Sequence, residues 1–186
     1  MHDKRLVIII GHYGSGKTEF AVNYAVKMKE IYENVSIADL DIVNPYFRTR
    51  EKRDFLESIG VKVYDSSIRN TSIDIPALPA ELTGVFLNQN IRSIIDVGGD
   101  PVGAKVLSRY ADQIKSTEYD MFYVINGNRP ETSTVEGVIK YLKMIEATSR
   151  LKVTGLINNT HLLKQTTVED VEFGHELNKK ISWETD

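Results

Sequence analysis

Eight consecutive residues, Gly11-His12-Tyr13-Gly14-Ser15-Gly16-Lys17-Thr18, have the types and spacing to hold a polyphosphate. They fit the pattern G-x-x-x-x-G-K-[ST] and lie between an apolar run, "RLVIII", and an amphipathic run, "TEFAVNYAVKM", the strand-loop-helix setting that the pattern requires. Successive backbone N–H groups from Gly14 to Thr18 must turn inward around the anion. Glycine is therefore needed wherever a Cβ would clash or the backbone takes positive φ. The start of the following helix adds its positive end. Lys17 supplies a mobile charge for β- and γ-phosphates, and the Thr18 hydroxyl is a hard oxygen ligand suited to Mg²⁺. A glycine-rich turn without a ligand is the alternative reading of these residues.

Three further segments extend the chemistry. "RSIIDVGGDPVG" places Asp96 at the end of an apolar strand, where a carboxylate beside such a loop holds magnesium through water. Gly99 completes a D-x-x-G arrangement whose backbone N–H can reach a γ-phosphate, although a tight turn gives the same sequence. In "SIADLDIVNPYFRTR", Asp39 and Asp41 flank a second strand end; they suit magnesium's water shell or an attacking water, with solvated strand-end acids as the alternative. Arg48 and Arg50 suit a phosphate or a partner, or are solvated surface residues. "VTGLINNTH" ends a strand in Asn158 and Asn159. The guanine-reading N-K-x-D is absent, and an asparagine amide can pair with the adenine edge, which favours ATP over GTP.

These groups need a scaffold, and short β-branched runs alternating with longer amphipathic ones predict an α/β fold with a parallel sheet wrapped by helices. The strands are expected at Leu6–Ile10, Val35–Asp39, Val61–Tyr64, Ser93–Asp96, Met121–Ile125 and Val153–Ile157. The helices are expected at Lys17–Tyr32, Thr49–Ser58, Ala80–Asn88, Gly103–Lys115, Thr132–Thr148 and Thr167–Lys180. Gly60 stands where a helix end wants positive φ. "SSIRNTSIDIPALP" is the longest irregular stretch, either a functional loop or a plain crossover. The 186 residues suit one nucleotide-binding domain spanning 1–186. An alternating pattern would supply a further strand after "ISWETD"; either that strand is missing from this chain or the fold ends early.

Composition narrows the function classes. A formal charge of -3, no basic run and no apolar segment of membrane-span length give no reason to expect nucleic acid or a membrane as partner. There is no cysteine, which removes disulfides, thiolate nucleophiles and cysteine-ligated metal centres. None of the four histidines falls at a metal-pair spacing. A cytoplasmic location is the expectation.

Together, "GHYGSGKTEFAVNYA", "SIADLDIVNPYF", "IIDVGGDPVG" and "GLINNT" resemble, over most of the chain, the MinD, ParA and CobQ–CobB (SIMIBI-type) group of P-loop nucleotide-binding proteins, which includes dethiobiotin synthetase-like enzymes. More narrowly, "GHYGSGKTE", "DLDIVNPYFR", "DVGGDP" and "NNTH" look like a family of bacterial ATP-binding proteins. The resemblance implies a three-layer α/β/α fold, ATP and Mg²⁺ as ligands, hydrolysis through Asp41 and adenine contact by Asn159. It implies a slow ATPase or nucleotide switch; the alternative is an ATP-dependent small-molecule synthetase or kinase-like enzyme. A protein partner, a small-molecule acceptor or a homodimer is left open. One departure matters. MinD- and ParA-type members carry a signature lysine at the second loop position, reaching the other subunit's nucleotide in a sandwich dimer, and this chain has His12 there. Imidazole does not replace a fixed charge. A charge of that kind, supplied as an arginine finger, is worth about 10³- to 10⁵-fold in rate, so intrinsic hydrolysis is expected to be slow.

Overall fold

The computed structural model describes residues 4–40, 52–65, 84–86, 88–99 and 101–185. Six parallel strands form one sheet: β1 (Leu6–Gly11), β2 (Val35–Leu40), β3 (Val61–Asp65), β4 (Arg92–Val97), β5 (Tyr119–Ile125) and β6 (Gly155–Asn158), in the order β3-β2-β4-β1-β5-β6. The helices are α1 (Lys17–Ile31), α2 (Arg53–Ser58), α3 (Pro101–Ser108), α4 (Ala111–Lys115), α5 (Val135–Ser149) and α6 (Val168–Thr185). This is the three-layer α/β architecture of P-loop NTPases.

Strand order and handedness place the helices. From β1 the chain steps past β4 to β2 and on to β3; after β4 it returns past β1 to β5 and then β6. Right-handed crossovers in opposite directions must run over opposite faces. Accordingly α1 and α2 cover one face, burying Ala21, Val22, Ala25, Met28 and Leu56 against Val7, Ile9, Ile37 and Ile94. The helices from α3 to α6 cover the other, burying Leu107, Ile114, Leu142, Ile145 and Ile181 against Leu6, Ile8, Ile10, Ile95 and Tyr123. Alternate residues of β1 thus enter two different cores, which is why its sequence reads as an unbroken apolar run. The reversal of winding falls between β1 and β4, where sheets of this kind leave a crevice at their carboxyl ends.

The observed elements differ from the expected ones for local reasons. The helix expected at Gly103–Lys115 is two helices, broken at Arg109-Tyr110, where Tyr110 leaves helical geometry and becomes the N-cap of α4. Tyr110 stacks on Phe86 at 4.7 Å, so the residue at the break is also held by packing from outside the helix. The α5 helix starts at Val135 because the Thr134 hydroxyl accepts the Gly137 N–H as an N-cap. Before it, Pro130–Thr132 form a 3₁₀ turn. Gly60 has φ +83° after α2, as its position predicted. β6 begins at Gly155 rather than Val153 and, as an edge strand, is only half-buried. Of the expected Ala80–Asn88 helix, residues 84–86 are helical among those described; the loop "SSIRNTSIDIPALP" lies outside the described residues. No described helix is long and apolar enough to cross a membrane.

Core position predicts stability. Ile8 is fully buried in β1, and Ile8→Ala should cost about 2–5 kcal/mol in denaturant unfolding followed by circular dichroism. Trp183, 77% exposed near the end of α6, should tolerate alanine within about 0.5 kcal/mol in the same measurement.

Candidate functional site

The phosphate-loop geometry starts from the glycines. Gly14 and Gly16 have φ +75° and +81°, a region that costs other L-residues about 1–2 kcal/mol. Gly11 meets a different constraint. A Cβ there would lie 2.5 Å from the Ser15 Oγ and 2.6 Å from the Val124 carbonyl oxygen on β5. With these residues in place the chain reverses between β1 and α1, the Ser15 N–H donating to the His12 carbonyl at 3.0 Å. Gly16 is the N-cap of α1 and no side chain caps that helix. The first-turn N–H groups therefore have no side-chain acceptor at the cap, the condition under which a helix start receives an anion. Ser15, Lys17 and Thr18 are buried, and the Ser15 hydroxyl has no hydrogen-bond partner among the described residues.

The acids arrive by register. Asp39 pairs with Asp96 across β2 and β4, and Ile9 of β1 pairs with Asp96 on the other side. Asp39 lies two residues after Ile37 and Asp96 two after Ile94, so both acids follow the sheet face that α1 covers. The Thr18 hydroxyl, in the first turn of α1, donates to Asp96 Oδ2. Asp39 and Asp96 are both buried, at 3% and 0% exposure. A solvated strand-end acid is therefore not what Asp39 is. Asp41, Arg48 and Arg50 lie outside the described residues. A hydroxyl and a carboxylate, both hard oxygen donors and already in contact, fit a magnesium ion. No group of three or more His, Asp or Glu side chains that could bind a metal by themselves occurs among the described residues.

Beside the loop opens a cleft of about 610 Å³. Gly14, Lys17, Thr18 and Glu19 line one end; Asn128, Arg129, His161, Leu162, Leu163 and Gln165 line the rest. The two segments that build this second wall follow β5 and β6 and are stitched together by Asn126, which is fully buried. Its Oδ1 accepts the N–H groups of Asn128 (3.0 Å) and His161 (3.4 Å), and its Nδ2 donates to the His161 carbonyl at 3.3 Å. The Gly127 N–H adds a 3.0 Å bond to the Thr160 hydroxyl. Two cross-ties then fasten this wall to the phosphate loop. Asn159 Nδ2 donates to the Ser15 carbonyl at 2.7 Å, and Arg129 Nε to the Gly14 carbonyl at 3.1 Å.

Gly11 to Thr18, Asp96 and Gly99 are thus brought together, with Gly99 against the backbone of Tyr13. Tyr13 itself is 68% exposed at the mouth of the cleft, and the His12 ring lies against Tyr141 of α5. Asn159 is at the site, with its amide spent on the phosphate loop. Thr160 and Tyr141 were not singled out by the sequence, whereas Asn126 opens "NGNRPETST", a segment suited to lining an acceptor pocket and marked by its asparagine-glycine pair directly after a strand.

Comparison with protein-family models and with curated proteins finds no sequence match. Among solved structures, FtsY of chloroplasts from Physcomitrella patens aligns with a TM-score of 0.60 at 15% identity, over 97% of this chain and 57% of that one. FlhF complexed with GMPPNP/Mg²⁺ aligns at 0.56 and 17%, over 96% and 63%. FtsY from Mycoplasma mycoides aligns at 0.55 and 19%, over 94% and 56%. The chain spans less than two thirds of each of these structures. The likeness is one of fold, and it bears out the P-loop NTPase architecture.

Backbone geometry predicts unequal tolerance of alanine at two glycines. Gly16→Ala should lower stability by about 1–2 kcal/mol, since it adds a left-handed alanine and puts a methyl group into the Asn159 amide. Gly84→Ala, in a helical turn with nothing within 4 Å of a new Cβ, should raise it by up to about 1 kcal/mol. Paired urea titrations check both.

Proposed function

We propose that this chain is a magnesium-dependent ATP-binding protein that hydrolyses ATP slowly and acts as a nucleotide switch. The observation that carries the reading is the convergence of the glycine-shaped loop, the uncapped start of α1 and the Thr18–Asp96 pair at one end of a 610 Å³ cleft. The lysine of that loop suits a triphosphate as a point charge for its β- and γ-phosphates. In this reading Lys17 and the backbone of Gly14 to Thr18 hold the phosphates, Thr18 and Asp96 hold magnesium, and Asp41 orients the attacking water. Magnesium, when bound, neutralises charge on the β- and γ-phosphates. Gly99 offers its N–H to the γ-phosphate.

The far end of the cleft favours adenine. Guanine recognition uses a carboxylate to accept from the base, and the only acid lining the cleft among the described residues is Glu19, in the first turn of α1. Leu162 and Leu163 instead offer apolar surface and Gln165 an amide. The solved FlhF complex contains GMPPNP, so GTP belongs in the same titration as ATP. The MinD, ParA and CobQ-type grouping, and a cytoplasmic location, stand with this proposal as its wider setting.

Calorimetry with Mg²⁺-ATP should show Lys17→Ala binding roughly 10- to 100-fold more weakly, the loss expected for charge-assisted hydrogen bonds; unchanged affinity would overturn the assignment, and tighter GTP than ATP binding would overturn the adenine reading. Asp41→Ala should bind ATP as the parent does and release phosphate more slowly. ADP formed only when a metabolite extract is added would shift the reading to the synthetase or kinase class.

A further inference from the structure

The turn that ends β4, Asp96 to Gly99, carries two successive glycines, the softest backbone available. Yet it is held on three sides. On α3, a Cβ at Gly103 would lie 2.9 Å from the Gly98 nitrogen and carbonyl oxygen, so the helix backbone rests directly on the turn. On the phosphate loop, a Cβ at Gly99 would lie 2.9 Å from the Tyr13 nitrogen and 3.1 Å from the Gly11 carbonyl oxygen. These two contacts exclude other positions without directing the peptide. The third is directional: the Tyr141 hydroxyl, from α5, donates to the Gly99 carbonyl at 2.7 Å.

Tyr141 is itself well fixed. Its ring stacks on Tyr123 of β5 with centroids 5.7 Å apart and planes 23° apart, and it meets the His12 ring at 5.1 Å in an edge arrangement of 71°. Such ring pairs each add about 0.5–1.5 kcal/mol beyond the area they bury. Tyr123 is fully buried, and its hydroxyl has no hydrogen-bond partner among the described residues. It serves Tyr141 as a wall. One hydroxyl on a clamped ring thus spans from α5 to the glycine turn, and the same ring touches the second position of the phosphate loop.

We propose that Tyr141 is a positioning residue for discrimination between nucleoside triphosphate and diphosphate, acting by holding the Gly99 carbonyl and so restricting the glycine turn to the conformation in which the Gly99 N–H, on the preceding peptide, meets a terminal phosphate. The proposal rests on the nucleotide-binding reading of the site and on Gly99 as its γ-phosphate donor. A donor already in place gives up little conformational entropy when the phosphate arrives; a free glycine pair gives up more. The diphosphate, bound through Lys17, the loop amides and magnesium at Asp96, has no terminal phosphate to meet the Gly99 N–H.

Tyr141→Phe keeps the ring and both ring contacts and deletes only the hydroxyl. Calorimetric titration of the parent and variant chains with Mg²⁺-ADP and with Mg²⁺ and the non-hydrolysable β,γ-imido analogue of ATP tests it. Expected is unchanged ADP affinity, with analogue binding weakened roughly three- to tenfold, the loss for one neutral hydrogen bond. An unchanged analogue-to-ADP ratio in the variant overturns the inference and leaves the nucleotide reading standing. Equal weakening of both ligands marks a purely structural role and also overturns it. A parent chain that binds neither ligand overturns the nucleotide reading, and the inference with it.

Discussion

Asp96 stands at 0% exposure at the end of a central strand, and the Thr18 hydroxyl is brought against it by the first turn of a helix. A carboxylate so deeply buried is costly unless it is hydrogen-bonded, paired or metal-bound, so its neighbours must be held in place. The register of β4 between β1 and β2 does this. It sets Asp96 level with Asp39 and Ile9, and strand alternation then fixes which face each side chain takes. A slip of one residue in β4 would turn Asp96 and Ile94 away from α1 and Ile95 and Val97 toward it. A buried hydroxyl pair, Ser36 to Ser93 at 3.0 Å, lies across the same two strands and opposes such a slip, since either hydroxyl would lose its partner.

The opposite wall of the cleft is organised by polar side chains that bond to main chain. Asn126 joins the segments after β5 and β6, while Asn159 and Arg129 fasten them to carbonyls of the phosphate loop. Farther out, Asn128 donates to Asp170 at 2.9 Å, and Gly174 brings α6 close against Asn158 and Thr160. The position of α6 is thereby linked to the lining of the cleft. Such bonds are each modest, but several converge on two short segments and reinforce one another.

Much of this was legible in the residues themselves. The phosphate loop announces itself because its backbone can be built only from glycine at particular places, and β1, β2 and β4 announce themselves because both their faces are buried. The break between α3 and α4 was hidden: it falls at Tyr110, which stacks on Phe86, a contact across more than twenty residues that periodicity does not register. Tyr141 was hidden for a related reason. Within "VEGVIKYLKMIEATS" it is one more amphipathic-helix residue, and only the fold brings its hydroxyl to Gly99. Asn159 was visible as an amide at a strand end, while its actual bond, to the Ser15 carbonyl, joins residues 144 positions apart.

The strand order has a consequence for how such a chain comes into being. β1 is synthesised well before either of its two neighbours, β4 and β5. During synthesis the apolar "LVIII" run and the glycine loop behind it therefore wait for β4, complete at residue 97, and for β5, complete at residue 125. The phosphate loop, which directly follows β1, acquires its surroundings late, because Val124 on one side and Asp96 on the other must both arrive before Gly11 and Thr18 are enclosed. Contacts of such long sequence separation make folding slow, and they tie the birth of the site to completion of the sheet.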